Sequence, residues 1–278
     1  MLAGILHASY NALYKGSIDK SVFAWWFTLV ATVVYLPVLV LTSLHFPWKG
    51  WLCIFASGLV EAAYYIATSE AYERGNLSVV YPLARGVAPL FATLWAILFL
   101  GERPKSTGLA GILLVVLGIY LLNIRSFAHL LDPLRSLKEG PSRFALLASL
   151  CISVYSVLDK VGVRYLPPLI YIYLVLIVAL AVFTPYILFT GRGAGIIVEW
   201  RANKISILVA GTLILFTYFL VLTAMRMTYV SYVASVREVS IVFGALLGCF
   251  LLKERYGPIR VFASILIFLG VFLIGRAT

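Results

Sequence analysis

Long, uninterrupted apolar segments constrain this chain more than any other feature of its sequence. Along the 278 residues, these segments alternate with short polar breaks. A helix of about twenty apolar residues crosses the hydrocarbon layer of a bilayer. Only 12% of the residues are charged, whereas about a quarter are charged in an ordinary soluble domain. Because lipid offers no hydrogen-bond partners to an open backbone, the sequence predicts an all-α integral membrane protein.

The apolar segments predict ten transmembrane helices, separated into two groups of five by the longest polar break. That break carries Asp-Pro and Gly-Pro turn signals and is predicted to lie on the membrane surface. We therefore predict a first five-helix repeat over 1–125, a linker over 126–142 and a second five-helix repeat over 143–278. The predicted spans are 2–17, 22–44, 50–72, 77–101, 106–124, 144–163, 168–190, 204–226, 229–252 and 257–275.

An internal repeat relates the two halves. Gly101-Glu102-Arg103 at the end of the fourth span corresponds to Lys253-Glu254-Arg255 at the end of the ninth, and the same shift places Arg85 on Arg237. VVYLPVLVLT in the second span corresponds to AVFTPYILFT in the seventh, and the Tyr-x-x-Leu-x-Lys pattern of the first span recurs in the sixth. An odd number of helices per unit inverts the second unit in the membrane. The sequence thus predicts two inverted five-helix repeats, as in many secondary transporters, or a purely structural bundle of the same design.

Four charged residues lie well inside predicted spans, away from the span ends, where each costs roughly 2.5–3.5 kcal/mol to insert and is a functional candidate. They are Arg85, Arg237, Glu238 and Glu61. An arginine fork suits a substrate carboxylate because it can donate two parallel hydrogen bonds. Glu61 or Glu238 would then meet a substrate amine or exchange a coupling proton. Alternatively, Arg85 pairs with Glu238 to hold the halves together, and a buried pair of that kind is weak evidence of stabilisation.

Aromatic and small polar residues complete the predicted substrate-binding site. Tyrosine offers a ring face to cations and a hydroxyl to polar groups, although packing between helices is the alternative role for each one. The predicted site residues besides the four ionisable ones are Tyr10, Asn11, Tyr64, Tyr81, Tyr155, Tyr218 and Ser235.

Prolines and glycines predict where helices bend and touch. Two prolines interrupt hydrogen bonding in the fourth span and none does so in the ninth, so we expect the fourth helix to flex more. Close helix contacts are predicted at Gly108, Gly111 and Gly118 of the fifth span and at Gly244-x-x-x-Gly248 of the ninth.

Several function classes find no support in the sequence. The net charge of +11 comes mostly from short loops beside apolar spans, as the positive-inside rule describes, so nucleic acid is not an expected partner. The three cysteines lie far apart inside spans, without CxxC or Cys/His spacing, which argues against a disulfide or zinc. The chain has three histidines, no HExxH and no ATP-binding motif. We therefore expect no catalytic residues, no metal and no cofactor, and a membrane-embedded enzyme remains a minor alternative.

The repeated Glu-Arg motif within ten helices in two halves resembles the EamA-type transporters of the drug/metabolite transporter superfamily. Three segments are similar to a bacterial branch whose first helix often reads HASWN: HASYNALYK from residue 7, YPLARG from residue 81 and REVS from residue 237. The resemblance covers essentially the whole chain. It implies a central cavity lined by helices 1, 3, 4, 6, 8 and 9, with helices 5 and 10 outside. It also implies alternating access, commonly with export of amino acids or related metabolites and coupling to protons.

The resulting functional hypothesis is a secondary exporter of a small polar or zwitterionic metabolite, acting as a monomer in the bacterial inner membrane. Its expected partners are the substrate, the lipid bilayer and protons. Import or flipping of an amphipathic or lipid-linked substrate is the alternative. The orientation stays open, because more basic residues lie on the terminal side of the membrane, which favours termini outside the cytoplasm, whereas the resemblance implies cytoplasmic termini.

Overall fold

The computed structural model describes residues 2–42, 45–75, 77–122, 140–243 and 258–278, and within these ranges the chain forms helices and no strand. A 3₁₀ turn at Arg192–Ala194 precedes α10, and helix resumes at 240–243 after α11. The helices are α1 (Leu2–Lys15), α2 (Lys20–Val34), α3 (Leu36–Val40), α4 (Trp48–Arg74), α5 (Leu77–Gly86), α6 (Ala88–Leu100), α7 (Ser106–Leu122), α8 (Gly140–Gly162), α9 (Pro168–Phe189), α10 (Gly195–Met227), α11 (Val230–Arg237) and α12 (Pro258–Ala277).

Many of these helices are long and apolar enough for a bilayer. Among the described residues, α2 and α7 are shorter apolar helices, and six segments meet the length and hydropathy needed to cross a membrane. These are Trp48–Arg74, Leu83–Leu100, Gly140–Gly162, Pro168–Phe189, Arg192–Met227 and Pro258–Ala277. The prediction of an all-helical chain with several spans is thereby confirmed for the described residues, whereas ten helices in two inverted repeats remain a prediction.

Three predicted spans are broken in ways the hydropathy pattern does not reveal. The span at 22–44, predicted as one helix, divides at Tyr35 because Pro37 lacks an N–H donor and occupies the first turn of α3. The span at 77–101 divides at Val87, and Pro89 takes the equivalent place at the start of α6. The predicted ninth helix is also interrupted, at residues 238–239. Proline is therefore not required for such a break, and the greater flexing of the fourth helix stays a prediction.

Two helix starts differ from the predicted boundaries. The helix α8 begins at Gly140, inside the predicted linker, and Pro141 lies in its first turn, where a missing N–H costs little. The helix α10 begins at Gly195, well before the predicted span at 204–226, and kinks at Asn203. The rest of the linker, Lys253-Glu254-Arg255 and Gly244-x-x-x-Gly248 lie outside the described residues.

Glycines bring α7 and α12 into close contact, as predicted for the fifth span. A Cβ atom added at Gly111 would lie 2.6 Å from the carbonyl oxygen of Gly270, and one added at Gly118 would lie 2.5 Å from Ile267. Small residues allow this approach, and van der Waals packing then holds the two helices together. The pair packs mainly with itself, outside the core formed by α2, α4, α9 and α10.

The side chain of Glu102 joins the end of α6 to the start of α11. Its carboxylate accepts hydrogen bonds from the backbone N–H groups of Val230 at 2.7 Å and Ser231 at 3.3 Å, and from the Ser231 hydroxyl at 2.7 Å. A carboxylate satisfies the free N–H groups of a helix start and interacts favourably with its dipole. This cap positions α11, the helix that carries Arg237.

Candidate functional site

The two interrupted helices each end at a buried arginine. Arg85 lies in the last turn of α5 and Arg237 is the last residue of α11, and the two residues are only 5% and 6% exposed. A cation at a helix C-terminus interacts favourably with the helix dipole. The breaks at Val87 and Glu238 thus hold two permanent positive charges inside apolar segments.

One buried carboxylate lies between these arginines. Glu238 Oε1 is 3.9 Å from Nη1 of Arg85 and 3.4 Å from Nε of Arg237. The pairing of Arg85 with Glu238, considered above as an alternative, is therefore present. Arg85 also donates from Nη2 to the Tyr64 hydroxyl at 3.4 Å. Because arginine stays protonated, one carboxylate leaves the three groups with net positive charge.

A cavity lies beside the arginines, walled by α1, α4, α5, α8, α10 and α11, with contributions from α2 and α9. The space open to the centres of water molecules is ≈ 60 Å³, and a single water needs roughly 10–15 Å³ on this measure. The cavity therefore has room for a few waters or one small group. Its lining consists of His7, Tyr10, Asn11, Tyr14, Phe27, Glu61, Tyr64, Tyr65, Thr68, Arg85, Tyr155, Ile172, Leu176, Ile214, Thr217, Tyr218, Val221 and Arg237.

Tyrosine rings form a continuous wall across this cavity. The centroids of Tyr64 and Tyr155 lie 5.9 Å apart, and those of Tyr155 and Tyr218 lie 6.1 Å apart, both edge to face. Tyr65 stands 5.4 Å from Tyr64, and its hydroxyl donates to Glu61 Oε1 at 3.0 Å. Ring faces attract cations and hydroxyls pair with polar groups, so the wall suits a ligand with both an amine and polar atoms.

Three buried polar atoms at the cavity have no hydrogen-bond partner among the described residues. They are His7 Nε2, Thr68 Oγ1 and Thr217 Oγ1, on residues that are 8%, 5% and 3% exposed. The other ring nitrogen of His7 pairs with the Tyr10 hydroxyl at 2.5 Å. An unsatisfied buried polar group costs about 1–3 kcal/mol. A ligand or water in the cavity would remove that cost, which marks these atoms as contact points.

A further carboxylate lies behind the tyrosine wall. Asp159 is 1% exposed and accepts hydrogen bonds from three hydroxyls: Ser57 at 2.5 Å, Tyr218 at 2.5 Å and Tyr171 at 2.9 Å. The donors come from α4, α10 and α9 respectively. The same rule that selects Glu61, an acidic residue inside an apolar span, would have found Asp159. Asp159 is not among the site residues predicted above.

Ionic contacts connect the α1–α2 turn, α4 and the 3₁₀ turn before α10. Arg192, in the 3₁₀ turn, makes a two-point ion pair with Glu73 at 2.6 and 2.8 Å and contacts Asp19 at 3.1 Å and Glu70 at 3.5 Å. We call these four residues the Arg192 cluster. Nearby, Glu199 accepts hydrogen bonds from the backbone N–H groups of residues 18 and 19. These contacts tie the α1–α2 turn and the end of α4 to the segment between α9 and α10.

The structure brings most predicted site residues together. Those that line the cavity are Arg85, Arg237, Glu61, Tyr10, Asn11, Tyr64, Tyr155 and Tyr218. Glu238 contacts both arginines but does not line the cavity. Ser235 does not line it either, since it is fully buried and its hydroxyl donates to the carbonyl of Ser231 at 2.9 Å. Tyr81 lies on α5, and its side chain is outside the described part of the chain.

Sequence reasoning did not single out several other lining residues. His7, Tyr14, Thr68 and Thr217 carry no charge, and a lone polar residue in a span is more often turned toward another helix. Whether these residues line the cavity depends on how each helix is rotated about its axis, which the hydropathy pattern alone does not determine. The helices that line the cavity are those implied by the resemblance, together with α2 and α9. Among the described residues, α7 and α12 supply none of the lining.

Comparison with known families decides what kind of protein carries this cavity. The model of the EamA-like transporter family matches residues 1–124 and 143–276. The chain belongs to the EamA-like transporter family. As a member of the drug/metabolite transporter superfamily, it is a multi-pass membrane transporter. A transporter family fits the expectation that the protein is not an enzyme.

The fold is also that of a solved protein. One crystal structure superposes with a TM-score of 0.75 at 18% sequence identity, over 98% of this chain and 93% of that chain. At such an identity the similarity shows the fold alone. No curated protein matches the sequence significantly.

Proposed function

We propose that this EamA-like protein is a secondary transporter that exports a small polar or zwitterionic metabolite, such as an amino acid. Transport would proceed by alternating access around the cavity, in exchange for protons. The observation that carries this proposal is the placement of two arginines at the ends of two interrupted helices, facing one cavity. Interrupted helices at an internal site are typical of secondary transporters, because their ends present charge and free backbone groups to a substrate.

The packing of the helices supports ten spans in two inverted repeats. In the first half, Gly58 of α4 packs on α9, where an added Cβ would lie 2.6 Å from Val178. In the second half, Gly211 of α10 packs on α2, and an added Cβ would lie 2.6 Å from Val30. Because α4 corresponds to α10 and α9 corresponds to α2 in the repeat, the two contacts are equivalent. A pseudo-two-fold axis would relate them in this way. The family match in two segments, 1–124 and 143–276, agrees with the same division.

The cavity repeats this relation in its lining. Four residues of α4 face it at one helical spacing, and four residues of α10 face it at the same spacing, Tyr65 corresponding to Tyr218. The paired positions nevertheless differ in chemistry, since Glu61 corresponds to Ile214 and Tyr64 to Thr217. We infer that the symmetric backbone serves the conformational exchange, whereas these unlike pairs define which substrate binds.

The charges favour a zwitterion. The net positive group of Arg85, Arg237 and Glu238 would bind a carboxylate, and charge-assisted hydrogen bonds of this kind contribute about 1.5–3 kcal/mol each. Glu61 and the tyrosine wall would receive the amine at the other side of the cavity. The small volume of ≈ 60 Å³ indicates a bundle closed tightly around its site, so a substrate enters only when one end opens.

The Arg192 cluster is the proposed closure of one end. It joins Asp19 and Glu73, which belong to the first half, to Arg192 of the second half. Separation of the halves at that end must therefore break these ion pairs. We propose that the protein works as a monomer, in the bacterial inner membrane.

Transport by purified protein in liposomes tests this function. We would screen uptake of tritiated amino acids and other small metabolites by the wild-type protein, Arg85→Ala, Arg237→Ala and the matched control Arg226→Ala, whose side chain is exposed. Loss of one charge-assisted contact should weaken uptake about 10- to 100-fold, and Arg226→Ala should transport normally. Wild-type rates in both cavity variants would contradict the role of the arginines. A wild-type protein that moves none of these compounds would contradict the proposed substrate class.

A further inference from the structure

Asp159 is a buried carboxylate held by hydroxyl groups alone. Its Oδ1 atom accepts from Ser57 and Tyr171, and its Oδ2 atom accepts from Tyr218. Among the described residues, no lysine or arginine forms an ion pair with it. A charged side chain inside a membrane protein is costly and is usually paired or functional. Three hydroxyl donors stabilise the ionised carboxylate, and no fixed cation does. A proton can therefore bind Asp159 without displacing a charged partner.

Titratable groups on four other helices lie around Asp159. Cys53 and Glu61 on α4 and Tyr171 on α9 lie within its electrostatic reach. Tyr218 on α10 and Arg237 on α11 are its neighbours on the cavity side. On its own helix, the adjacent Lys160 is directed elsewhere, since its ammonium donates to the backbone carbonyls of Met225 and Thr228.

The hydroxyl of Tyr218 connects this carboxylate to the cavity. Tyr218 lines the cavity beside Tyr155, and its O–H bond points to Asp159 Oδ2 at 2.5 Å. A phenol oxygen both donates and accepts hydrogen bonds. While its proton is held by ionised Asp159, the oxygen can accept a hydrogen bond from a ligand N–H group in the cavity.

We propose that Asp159 is the proton-binding site that couples this transporter to a proton gradient, and that Tyr218 transmits its protonation to the substrate. This inference rests on the proposed function. A hydronium ion in the cavity gives up a proton, which forms an O–H bond on Oδ2 of Asp159, and a neutral water molecule remains. The new O–H group donates to the Tyr218 oxygen, so the phenol turns its own proton toward the cavity. When the cavity opens to the other side of the membrane, the same proton passes from Oδ2 to a water molecule there, which becomes hydronium.

Competition between proton and substrate follows from this rearrangement. With Asp159 ionised, the cavity presents the acceptor oxygen of Tyr218 to a substrate amine, which carries only donors when protonated. With Asp159 protonated, the cavity presents a donor at the same place, and an amine cannot pair with it. The two ligands therefore bind alternately, as exchange of a substrate for a proton requires. Ser57 belongs to the first half and Asp159 to the second, so their bond can also sense the opening of the halves.

Infrared difference spectroscopy tests the proton site without any substrate. Protein in sodium-free liposomes is titrated with acid, and the carbonyl stretch of a protonated carboxylic acid in a dry environment is followed. Among the bands of this kind, we expect one that disappears in Asp159→Asn and remains in the matched variant Glu61→Gln. Ser57→Ala should keep the band at higher frequency, because the acid has lost one hydroxyl partner. This variant assigns the band even where Asp159→Asn does not fold.

Three results would overturn the assignment. They are a band that survives in Asp159→Asn, a Ser57→Ala band at the wild-type frequency, and a band that sodium removes at constant pH. Coupling is then tested with a pH-sensitive dye inside the liposomes and a tritiated amino-acid mixture outside. Wild-type protein should move protons out of the liposomes as the amino acids enter, and Asp159→Asn should exchange amino acids without proton movement. Proton movement in Asp159→Asn would refute the coupling role, whereas absence of transport in the wild type would refute the proposed function and leave the infrared assignment standing.

Discussion

The substitution Glu238→Gln tests the electrostatic balance at the two arginines most sharply. At 3.9 and 3.4 Å, each arginine attracts the Glu238 carboxylate by about 4–5 kcal/mol at an effective dielectric constant near 20. Glutamine keeps the shape and loses the charge, so both buried arginines lose the attraction of this carboxylate. Removal of one partner from a buried pair costs about 3–5 kcal/mol. We therefore expect the free energy of unfolding to fall by about 4 kcal/mol.

The measurement is the apparent melting temperature of purified protein in detergent. At about 2–4 °C per kcal/mol, Glu238→Gln should lower it by roughly 8–16 °C. The double variant Arg237→Gln/Glu238→Gln should recover part of this loss, because it removes one uncompensated charge. Glu73→Gln is the matched control, since its carboxylate is part-exposed and such an ion pair contributes about 1 kcal/mol or less.

Two outcomes would refute this reasoning. A Glu238→Gln protein that melts with the wild type would show that the carboxylate does not compensate the arginines. A double variant that is no more stable than the single one would show that Arg237 does not feel the loss of charge. The double-mutant comparison is needed because effects of residues in contact do not add.

Three further substitutions test the parts that frame the site. Arg192→Gln removes the two-point ion pair with Glu73. A thiol reagent applied at the end that carries the Arg192 cluster should then label a cavity cysteine faster. An unchanged labelling rate would show that the cluster does not close that end. Gly111→Val forces a side chain onto the backbone of α12 and should cost about 1–3 kcal/mol by melting temperature, whereas Gly275→Val, which meets open space, should change it by less than about 0.5 kcal/mol. Glu102→Gln weakens the cap of α11 and should cost about 1–2 kcal/mol in the same assay, and an unaltered melting temperature would contradict the capping role.

The sequence was sufficient to predict the helical membrane class and the meeting of Arg85, Arg237 and Glu61 at one cavity. Hydropathy and the free-energy cost of burying a charge depend on the residue type and its position in a span, so both can be estimated from the sequence alone. The break at Tyr35 could not be predicted in the same way, since hydropathy does not register a missing N–H group. Ser235, one of the predicted site residues, does not line the cavity, and hydropathy alone does not define the rotation of its helix.

Asp159 shows a different limit. Its position inside a span was visible, but its partners Ser57 and Tyr171 lie on helices that no local pattern connects to it. Only packing brings the three hydroxyls to one carboxylate. Thr217 is a second example. Its hydroxyl has no hydrogen-bond partner among the described residues, and only the packing of the helices shows that it lines the cavity.

Access to the cavity from both sides of the membrane is the most direct test of the whole account. Thr217→Cys, in a background without the native cysteines, places one thiol on the cavity wall. Membrane-impermeant thiol reagents are then applied to right-side-out and inside-out vesicles. Alternating access predicts labelling from both sides, with protection by a transported amino acid in each case. Labelling from one side only, or labelling that no amino acid slows, would contradict a transport pathway through this cavity.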